Sequence, residues 1–259
     1  MSALGVRGIG FAAPGLVGWP AARECLAGGA PYRPGPLPRL NPAGLPANER
    51  RRLSTTMRLA LTVAGEATTA AGADPAAALT VFASANGDGD IIHAICEELA
   101  RPEPAVSPTQ FHNSVHNAPA GYWSISAHTM TPYTAVSAHD GTFAAGLLEA
   151  ASLAAAGAPV LLAVYDRPLP LPLGETRPTH DAFACALLLQ AGGGADAALE
   201  LSLENGGTES VLDDPELEAL RAGNPAARAL PLLASLARNA TGAIRLPYIG
   251  DTRLVVTCT

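Results

Sequence analysis

A short polar turn in the middle of the chain holds the residues whose types could do chemistry. His139 and Asp140 lie between two hydroxyl residues, Ser137 and Thr142. A catalytic interpretation of the pair needs a nucleophile within reach, and these two hydroxyls are the candidates. An aspartate at this place more commonly caps a helix, here one beginning at Gly141, and we favour capping. Acyl transfer or hydrolysis by Ser137, His139 or Asp140 stays an alternative.

Three predicted elements place this turn between a strand and a helix. Residues 117–129 can form one helix that Asn117 caps and whose first turn tolerates Pro119. Tyr133–Val136 is typical of a buried strand, and an Ala- and Leu-rich helix is predicted over 143–155. A strand that turns abruptly into a helix exposes one side chain beside free backbone N–H groups, as nucleophile elbows do.

Two histidines have the spacing of a zinc pair. His112 and His116 lie four residues apart, which would place both on one face of a helix. That helix would have to begin well before Pro119, and a third ligand would have to come from His128 or His139. We therefore expect no metal here and interpret these histidines as loop or interface residues.

The glycine-containing loop over 84–89 lies between a predicted strand and a predicted helix, where backbone N–H groups can cradle phosphate. Its spacing matches neither the dinucleotide pattern nor the Walker pattern, and two acidic residues nearby would repel phosphate. Tight-turn chemistry is the better interpretation of this loop, and we expect no cofactor.

Composition excludes several classes. A chain of 259 residues that is 48% hydrophobic and 15% charged is globular, as one large or two small domains. The net charge of −7, with one basic run at 50–52, argues against a nucleic-acid partner. Four scattered cysteines without a signal peptide predict a reducing, cytoplasmic location. Residues 157–159 divide the longest apolar tract, 150–165, so we expect no membrane span.

The rest of the chain alternates strands and helices before strands cluster near the end. Strands are predicted over 5–13, 79–83, 160–164, 183–190, 198–203 and 253–258, helices over 54–71, 91–99, 216–222 and 230–238, and an irregular loop over 28–46. A hairpin turn at 192–194 would join the two strands that flank it. This order predicts an α/β layered sheet with an antiparallel edge.

Several segments together resemble the N-terminal half of β-ketoacyl synthases of the thiolase fold. They are AGYWSI, TPYTAVSA, AAGLLEA and APVLLAVYD, with RRLS…RLAL before them and HDAFACALLLQ after them. The resemblance covers about residues 1–205 and implies a ketosynthase N-terminal-like domain. Residues 206–259 would be an abbreviated second half that completes the same fold and contributes its last strand, 253–258.

The chain departs from this family where the chemistry lies. Counting forward from Asn117 puts the family's active cysteine at Asp140, and counting backward from Val160 puts it at His139. The family's two late histidines are also missing, because no histidine follows His180. Decarboxylative condensation needs a thiolate that holds the acyl chain. The resemblance therefore implies a chain with no catalytic residue of its own.

A synthase-like chain without these groups resembles a chain length factor, the partner of an active β-ketoacyl synthase that shapes its acyl tunnel. The short length resembles the factors of bacterial aryl polyene biosynthesis. The family implies that the tunnel is reached by Gln110, Phe111 and His112, and that the dimer interface contains Asn117, Gly121, Tyr133 and Val136. Phe111 is the best candidate for the tunnel floor, and an ordinary core phenylalanine is the alternative.

Such a factor would meet the acyl carrier protein only indirectly, through the synthase. Two other classes stay open. One is the acyltransferase or hydrolase described above, which hydrolysis of an acyl thioester by the isolated protein would favour. The other is a homodimeric acyl- or carrier-binding module, which a stable homodimer that ignores every synthase would favour.

Overall fold

The computed structural model describes residues 3–192 and 197–259. Its strands are β1 (Leu4–Ala13), β2 (Leu16–Val17), β3 (Leu79–Ala83), β4 (Tyr133–Val136), β5 (Val160–Asp166), β6 (Phe183–Ala191), β7 (Ala198–Asn205), β8 (Gly242–Ile249) and β9 (Thr252–Cys258). Its α-helices are α1 (Trp19–Leu26), α2 (Ala47–Arg52), α3 (Thr55–Ala70), α4 (Gly89–Leu99), α5 (Pro108–Ser114), α6 (Ala118–Ser126), α7 (Thr142–Ala154), α8 (Leu173–Thr176), α9 (Pro215–Gly223) and α10 (Leu230–Ala237).

The strand β5 is buried along its whole length, and its side chains alternate between two cores. Leu161 and Tyr165 belong to the core that contains α3. Leu162 and Val164 belong to the core that contains α7. Successive side chains of a strand point to opposite faces, so a continuous apolar run is what a strand covered by helices on both faces requires.

The strands form one sheet in the order β4-β3-β5-β6-β1-β7-β9-β8, with β2 paired to β1. β3 runs parallel to β4 and β5, and the other neighbours along this order are antiparallel. Helix α7 contacts β3 and β5 and also β8, from the far end of the order, so the sheet bends around that helix. The predicted α/β layered sheet is confirmed, and its antiparallel part extends well beyond the predicted edge.

The predicted hairpin between β6 and β7 is wrong. β1 lies between these strands and pairs with both, because its buried apolar face suits the interior of the sheet whereas β7 is largely exposed. Of the predicted turn residues, 193 and 194 lie outside the described part of the chain.

Residues 206–259 contribute more to the sheet than the closing strand β9. They also supply β8, which the sequence did not predict. Ile244, Leu246 and Tyr248 do alternate with other residues there, but Pro247 weakens the strand signal. The strand order places β8 at the edge of the sheet, where a missing backbone N–H is tolerated.

The predicted bounds are accurate for the helix α3 and too long for the helix α6. α3 begins after Ser54, whose side-chain oxygen accepts a hydrogen bond from the Met57 backbone at 3.1 Å, and it ends close to the predicted limit. α6 is shorter than the predicted 117–129, because His128 adopts a left-handed φ of 50° that a helix cannot continue. Asn117 does not cap α6; its side-chain amide donates to the Tyr133 hydroxyl at 3.3 Å.

The apolar tract over 150–165 is divided as predicted. α7 ends at Ala154, Gly157 follows with a positive φ of 93°, and β5 begins at Val160. Among the helices of residues 3–192 and 197–259, none is long and apolar enough to cross a membrane.

A buried carboxyl group holds the loop that follows β3. Asp166, at the end of β5, accepts hydrogen bonds from the Ser84 hydroxyl at 2.8 Å and from the backbone N–H groups of Ala85 and Asn86 at 3.2 and 2.9 Å. Burial is the largest influence on this group and raises its pKa to about 6, against the opposing effect of those hydrogen bonds. The loop over 84–89 is thus a tight turn, as predicted, and Asp88 caps α4.

The raised pKa of Asp166 gives a testable pH dependence. The folded chain binds the proton more tightly than the unfolded chain, so this group makes the fold less stable as pH rises from about 4 to about 6. Asp166→Asn cannot ionise, and we expect the difference in unfolding free energy between wild type and variant to change by up to about 3 kcal/mol across that window. Urea unfolding at several pH values measures it. Asp251→Asn, at an exposed carboxyl, is the control and should keep the wild-type slope; parallel curves for wild type and Asp166→Asn would contradict the assignment.

Candidate functional site

The turn between β4 and α7 has the geometry of an elbow. β4 ends at Val136, a short turn follows, and α7 begins at Thr142. Within the turn His139 adopts a φ of 52°, which is uncommon for a residue with a side chain. Its imidazole is 72% exposed. The structure therefore presents the side chain of His139 at the point of the elbow, next to the N-terminus of a helix.

Thr142 maintains the turn. Its hydroxyl donates to the His139 carbonyl oxygen at 2.7 Å and accepts from the Ala138 backbone N–H at 3.0 Å. The residue is fully buried. Its hydroxyl is committed to the backbone of the turn, so Thr142 is not placed to act as a nucleophile.

The predicted capping role of Asp140 is wrong. Neither the turn nor α7 receives a side-chain cap from this residue. Its carboxylate accepts a hydrogen bond from Arg177 at 2.9 Å and lies 3.5 Å from His139 Nδ1. An ion pair with an arginine from a distant segment therefore takes the place of the predicted cap.

The elbow does not assemble a hydroxyl and a base. Ser137 donates towards the Ala85 carbonyl oxygen at a distance of 3.5 Å, and the imidazole of His139 faces Asp140. Within the part of the chain that the structure describes, Ser137 and His139 are not hydrogen-bonded to each other. An activated hydroxyl needs a base within about 3 Å. The geometry gives no support to the hydrolase alternative.

The second half of the chain lies directly against the elbow. A Cβ atom at Gly141 would come within 2.1 Å of the Tyr248 carbonyl oxygen, at the end of β8. Contacts between β8 and the turn confirm that this strand reaches the elbow. Tyr248 and Arg177 were not found from sequence, since neither sits near the turn in the chain; the alternation in β8 was the one available signal.

A cavity of about 480 Å³ lies on the other side of β4 and brings together several residues that sequence reasoning placed in separate roles. Among its lining residues are His112, which was assigned to the tunnel, and Asn117, Gly121 and Tyr133, which were assigned to the interface. The helices α2, α5 and α6 and the edge strand β4 form its walls.

A chain of buried hydrogen bonds fixes the walls of this cavity. The Tyr122 hydroxyl on α6 donates to the Asn113 side-chain oxygen at 3.1 Å. The Asn113 amide on α5 donates to the Arg52 carbonyl oxygen at the end of α2, at 3.0 Å. Both side chains are buried. Three helices are therefore held in register around the cavity by groups that water cannot reach.

Apolar side chains are exposed along the segment that supplies α5, α6 and β4. We call them the exposed apolar surface, and they are Phe111, Val115, Ile125, Met130 and Tyr133, of which Val115, Ile125 and Tyr133 line the cavity. Phe111 is 65% exposed and Met130 is 99% exposed. The core interpretation of Phe111 is therefore wrong, because a side chain this exposed packs against little in its own chain. Gln110 is exposed as well, whereas Val136 is half-buried and packs against the main core.

His112 and His116 do not share a helix face, as a zinc pair would require. His112 belongs to α5, which ends at Ser114, so His116 lies outside the helix. His116 Nε2 donates to the Ser84 carbonyl oxygen at 2.9 Å. Among the described residues no group of three His, Cys, Asp or Glu side chains could hold a metal ion.

Comparison with known families gives one match over most of the chain. The family model for the N-terminal domain of β-ketoacyl synthases matches residues 28–245. This match extends beyond residue 205, where the resemblance found in the sequence stopped, and includes the first half of β8. No curated protein matches this chain.

Solved structures share the fold over almost the whole chain. A chain of the ketosynthase ApeO in complex with its chain length factor ApeC, from Xenorhabdus doucetiae, is 24% identical with a TM-score of 0.76, and 98% of this chain covers 99% of that one. A chain of the ishigamide ketosynthase/chain length factor is 13% identical with a TM-score of 0.72, each chain being covered to 99%. A β-ketoacyl synthase from Burkholderia phymatum is 14% identical with a TM-score of 0.64, and 93% of this chain covers 71% of it.

The contact between Gly141 and Tyr248 can be tested by adding one methyl group. Gly141→Ala would force the β8 backbone away from the elbow, and overpacking of this kind typically costs about 1–3 kcal/mol. Gly65→Ala is the matched control, because the added Cβ meets no atom within 4 Å in the interior of α3. Gly65→Ala should leave stability unchanged or raise it by up to about 1 kcal/mol. Urea unfolding measures both, and an equally stable Gly141→Ala would show that β8 does not rest on the turn.

Proposed function

Because the chain belongs to the β-ketoacyl synthase N-terminal domain family, we propose that it acts as a chain length factor. In this role it is a non-catalytic partner that forms a heterodimer with an active β-ketoacyl synthase and shapes the acyl tunnel of that enzyme. The observation that carries the proposal is His139 at the point of the elbow. An imidazole there cannot replace the thiolate that holds an acyl chain during condensation.

The four cysteines do not supply that thiolate from elsewhere. Cys25, Cys185 and Cys258 are buried, and burial raises the pKa of each thiol, which keeps it protonated. Cys96 is exposed but lies on α4, outside the elbow. The family's condensation chemistry therefore has no nucleophile in this chain, which favours a role without catalysis.

The edge of the sheet supports a partner. β4 pairs with β3 on one side and is the end strand of the sheet formed by the described residues. An edge strand with exposed apolar side chains nearby favours association with another chain. Two of the similar structures combine a ketosynthase with a chain length factor. By this likeness, the partner of the present chain would be an active β-ketoacyl synthase, and the acyl carrier protein would act through that synthase.

The pathway is part of the same proposal. A further similar chain, 11% identical with a TM-score of 0.73, comes from a type II polyketide synthase complex of an acyl-carrier protein with its ketosynthase bound to the hexaketide. We propose polyketide synthesis as the setting, and aryl polyene synthesis within it on the resemblance and the short length of the chain. Gln110, Phe111 and His112 would reach towards the acyl chain from α5.

Association is tested by co-expression with candidate synthases followed by co-purification. We expect a large apolar interface on the order of 2,000 Å². Met130→Asp and Tyr133→Asp should abolish retention of the synthase, because each puts a charge into the exposed apolar surface that we propose as the interface. Val211→Asp is the control, since Val211 is 61% exposed and lies apart from that surface in the chain. A monodisperse monomer at micromolar concentration that no synthase retains would overturn the proposal.

The tunnel role of Phe111 is tested in the intact pair. Phe111→Ala should lengthen the product while the complex stays assembled, because a rigid aromatic side chain that stops the acyl chain is removed. Phe111→Trp should shorten it. Phe143→Ala is the contrast: this residue is buried in the core, so the variant should lose about 3–5 kcal/mol of stability without a change in chain length. Products of unchanged length from an assembled Phe111→Ala complex would exclude Phe111 as the tunnel floor.

A further inference from the structure

A second cavity, of about 500 Å³, lies between the loop over 37–40 and the beginning of α3. We call it the arginine cleft, after the four arginines that line it: Arg39, Arg51, Arg58 and Arg167. It shares no lining residue with the cavity beside β4. Its function is therefore a separate question from that of the exposed apolar surface.

The cleft is lined by positive charges although the chain as a whole is negatively charged. The whole sequence carries −7, yet the described residues that line the cleft include four arginines and no aspartate or glutamate. Arg167 is neutralised by Asp90, at 2.6 Å. For Arg39, Arg51 and Arg58 the described part of the chain provides no ion pair. Three positive charges therefore face one cleft without a counter-charge.

Arg58 shows the consequence most clearly, because it is buried. Its guanidinium donates to the carbonyl oxygens of Leu40 and Arg50 and to the side-chain oxygen of Asn41, and all three acceptors are neutral. Burial, together with repulsion from Arg39 and Arg50, lowers the pKa of Arg58. A buried cation without an opposite charge is unfavourable, and an anion in the cleft would relieve that cost.

The remaining walls restrict the kind of anion. Apolar residues form much of the lining, and they are Leu37, Pro38, Leu40, Leu53 and Ala182. Thr55, the first residue of α3, also lines the cleft, so the positive end of this helix dipole adds to the arginine charge. A bare inorganic ion would leave the apolar wall unused, whereas an anion with an apolar body would cover it.

We propose that the arginine cleft binds a small organic phosphate, with its phosphate oxygens held by Arg39, Arg51 and Arg58 and its organic body on the apolar wall. Guanidinium groups bind phosphate through paired hydrogen bonds, and a phosphate has enough oxygens for more than one arginine. A volume of about 500 Å³ falls within the range of small-molecule sites. This site is independent of the proposed role at the synthase.

Phenyl phosphate is the probe, titrated by calorimetry into the full chain or into the complex with its synthase. We expect saturable binding that is tighter than that of inorganic phosphate and that weakens as salt is added. Arg39→Gln and Arg51→Gln should each weaken binding by about tenfold, the loss of one charge-assisted hydrogen-bonding group. Arg58 is left unchanged because it also anchors the loop at Leu40.

Arg33→Gln is the matched control, because Arg33 is exposed in the same proline-rich segment but does not line the cleft. This variant should bind phenyl phosphate like the wild type. Absence of saturable binding at millimolar concentration, or equal weakening in all three variants, would overturn the site. Inorganic phosphate that binds as tightly as phenyl phosphate would overturn the ligand class. A glutamate-rich peptide that occupies the cleft while phenyl phosphate does not would make it a peptide-binding site instead.

Discussion

The burial of β5 on both faces is the constraint on which the other layers depend. α3 covers one face and α7 the other, and this double cover is what makes the parallel neighbours β3 and β5 stable. α7 itself needs apolar cover on the side away from β5, which β8 supplies. The elbow therefore persists for a structural reason, because the turn between β4 and α7 sets the start of the helix that joins both halves of the sheet.

Local signals predicted most of this arrangement. The apolar run of β5 and the change from strand to helix periodicity after β4 are each visible within a few residues of sequence. Strand, turn and helix could therefore be placed from the sequence. The partner of Asp140 could not, because Arg177 lies 37 residues further along the chain and its ion pair competes with capping. The inner position of β1 could not be predicted either. β6 and β7 follow each other in the chain, yet each of them pairs with the distant strand β1.

The elbow and the edge strand β4 differ in the contacts that their side chains make within the chain. The turn between β4 and α7 has the backbone geometry of an elbow although it contains no cysteine. The carboxylate of Asp140 forms an ion pair with Arg177. Beside β4 the apolar side chains are kept exposed, although Met130 at 99% exposure gains nothing from its own chain. Surface of this kind is stabilised by contact with another chain. Together these two features support the proposed role in association over a role in catalysis.

The short helix α2 links the two cavities. Successive residues of a helix point about 100° apart, and Arg52 lines the cavity beside β4 whereas Arg51 lines the arginine cleft. Two buried side chains hold the end of this helix, since Arg58 donates to the carbonyl of Arg50 and Asn113 donates to that of Arg52. Arg58 belongs to one cavity wall and Asn113 supports the other, so both cavities are built against the same six-residue helix.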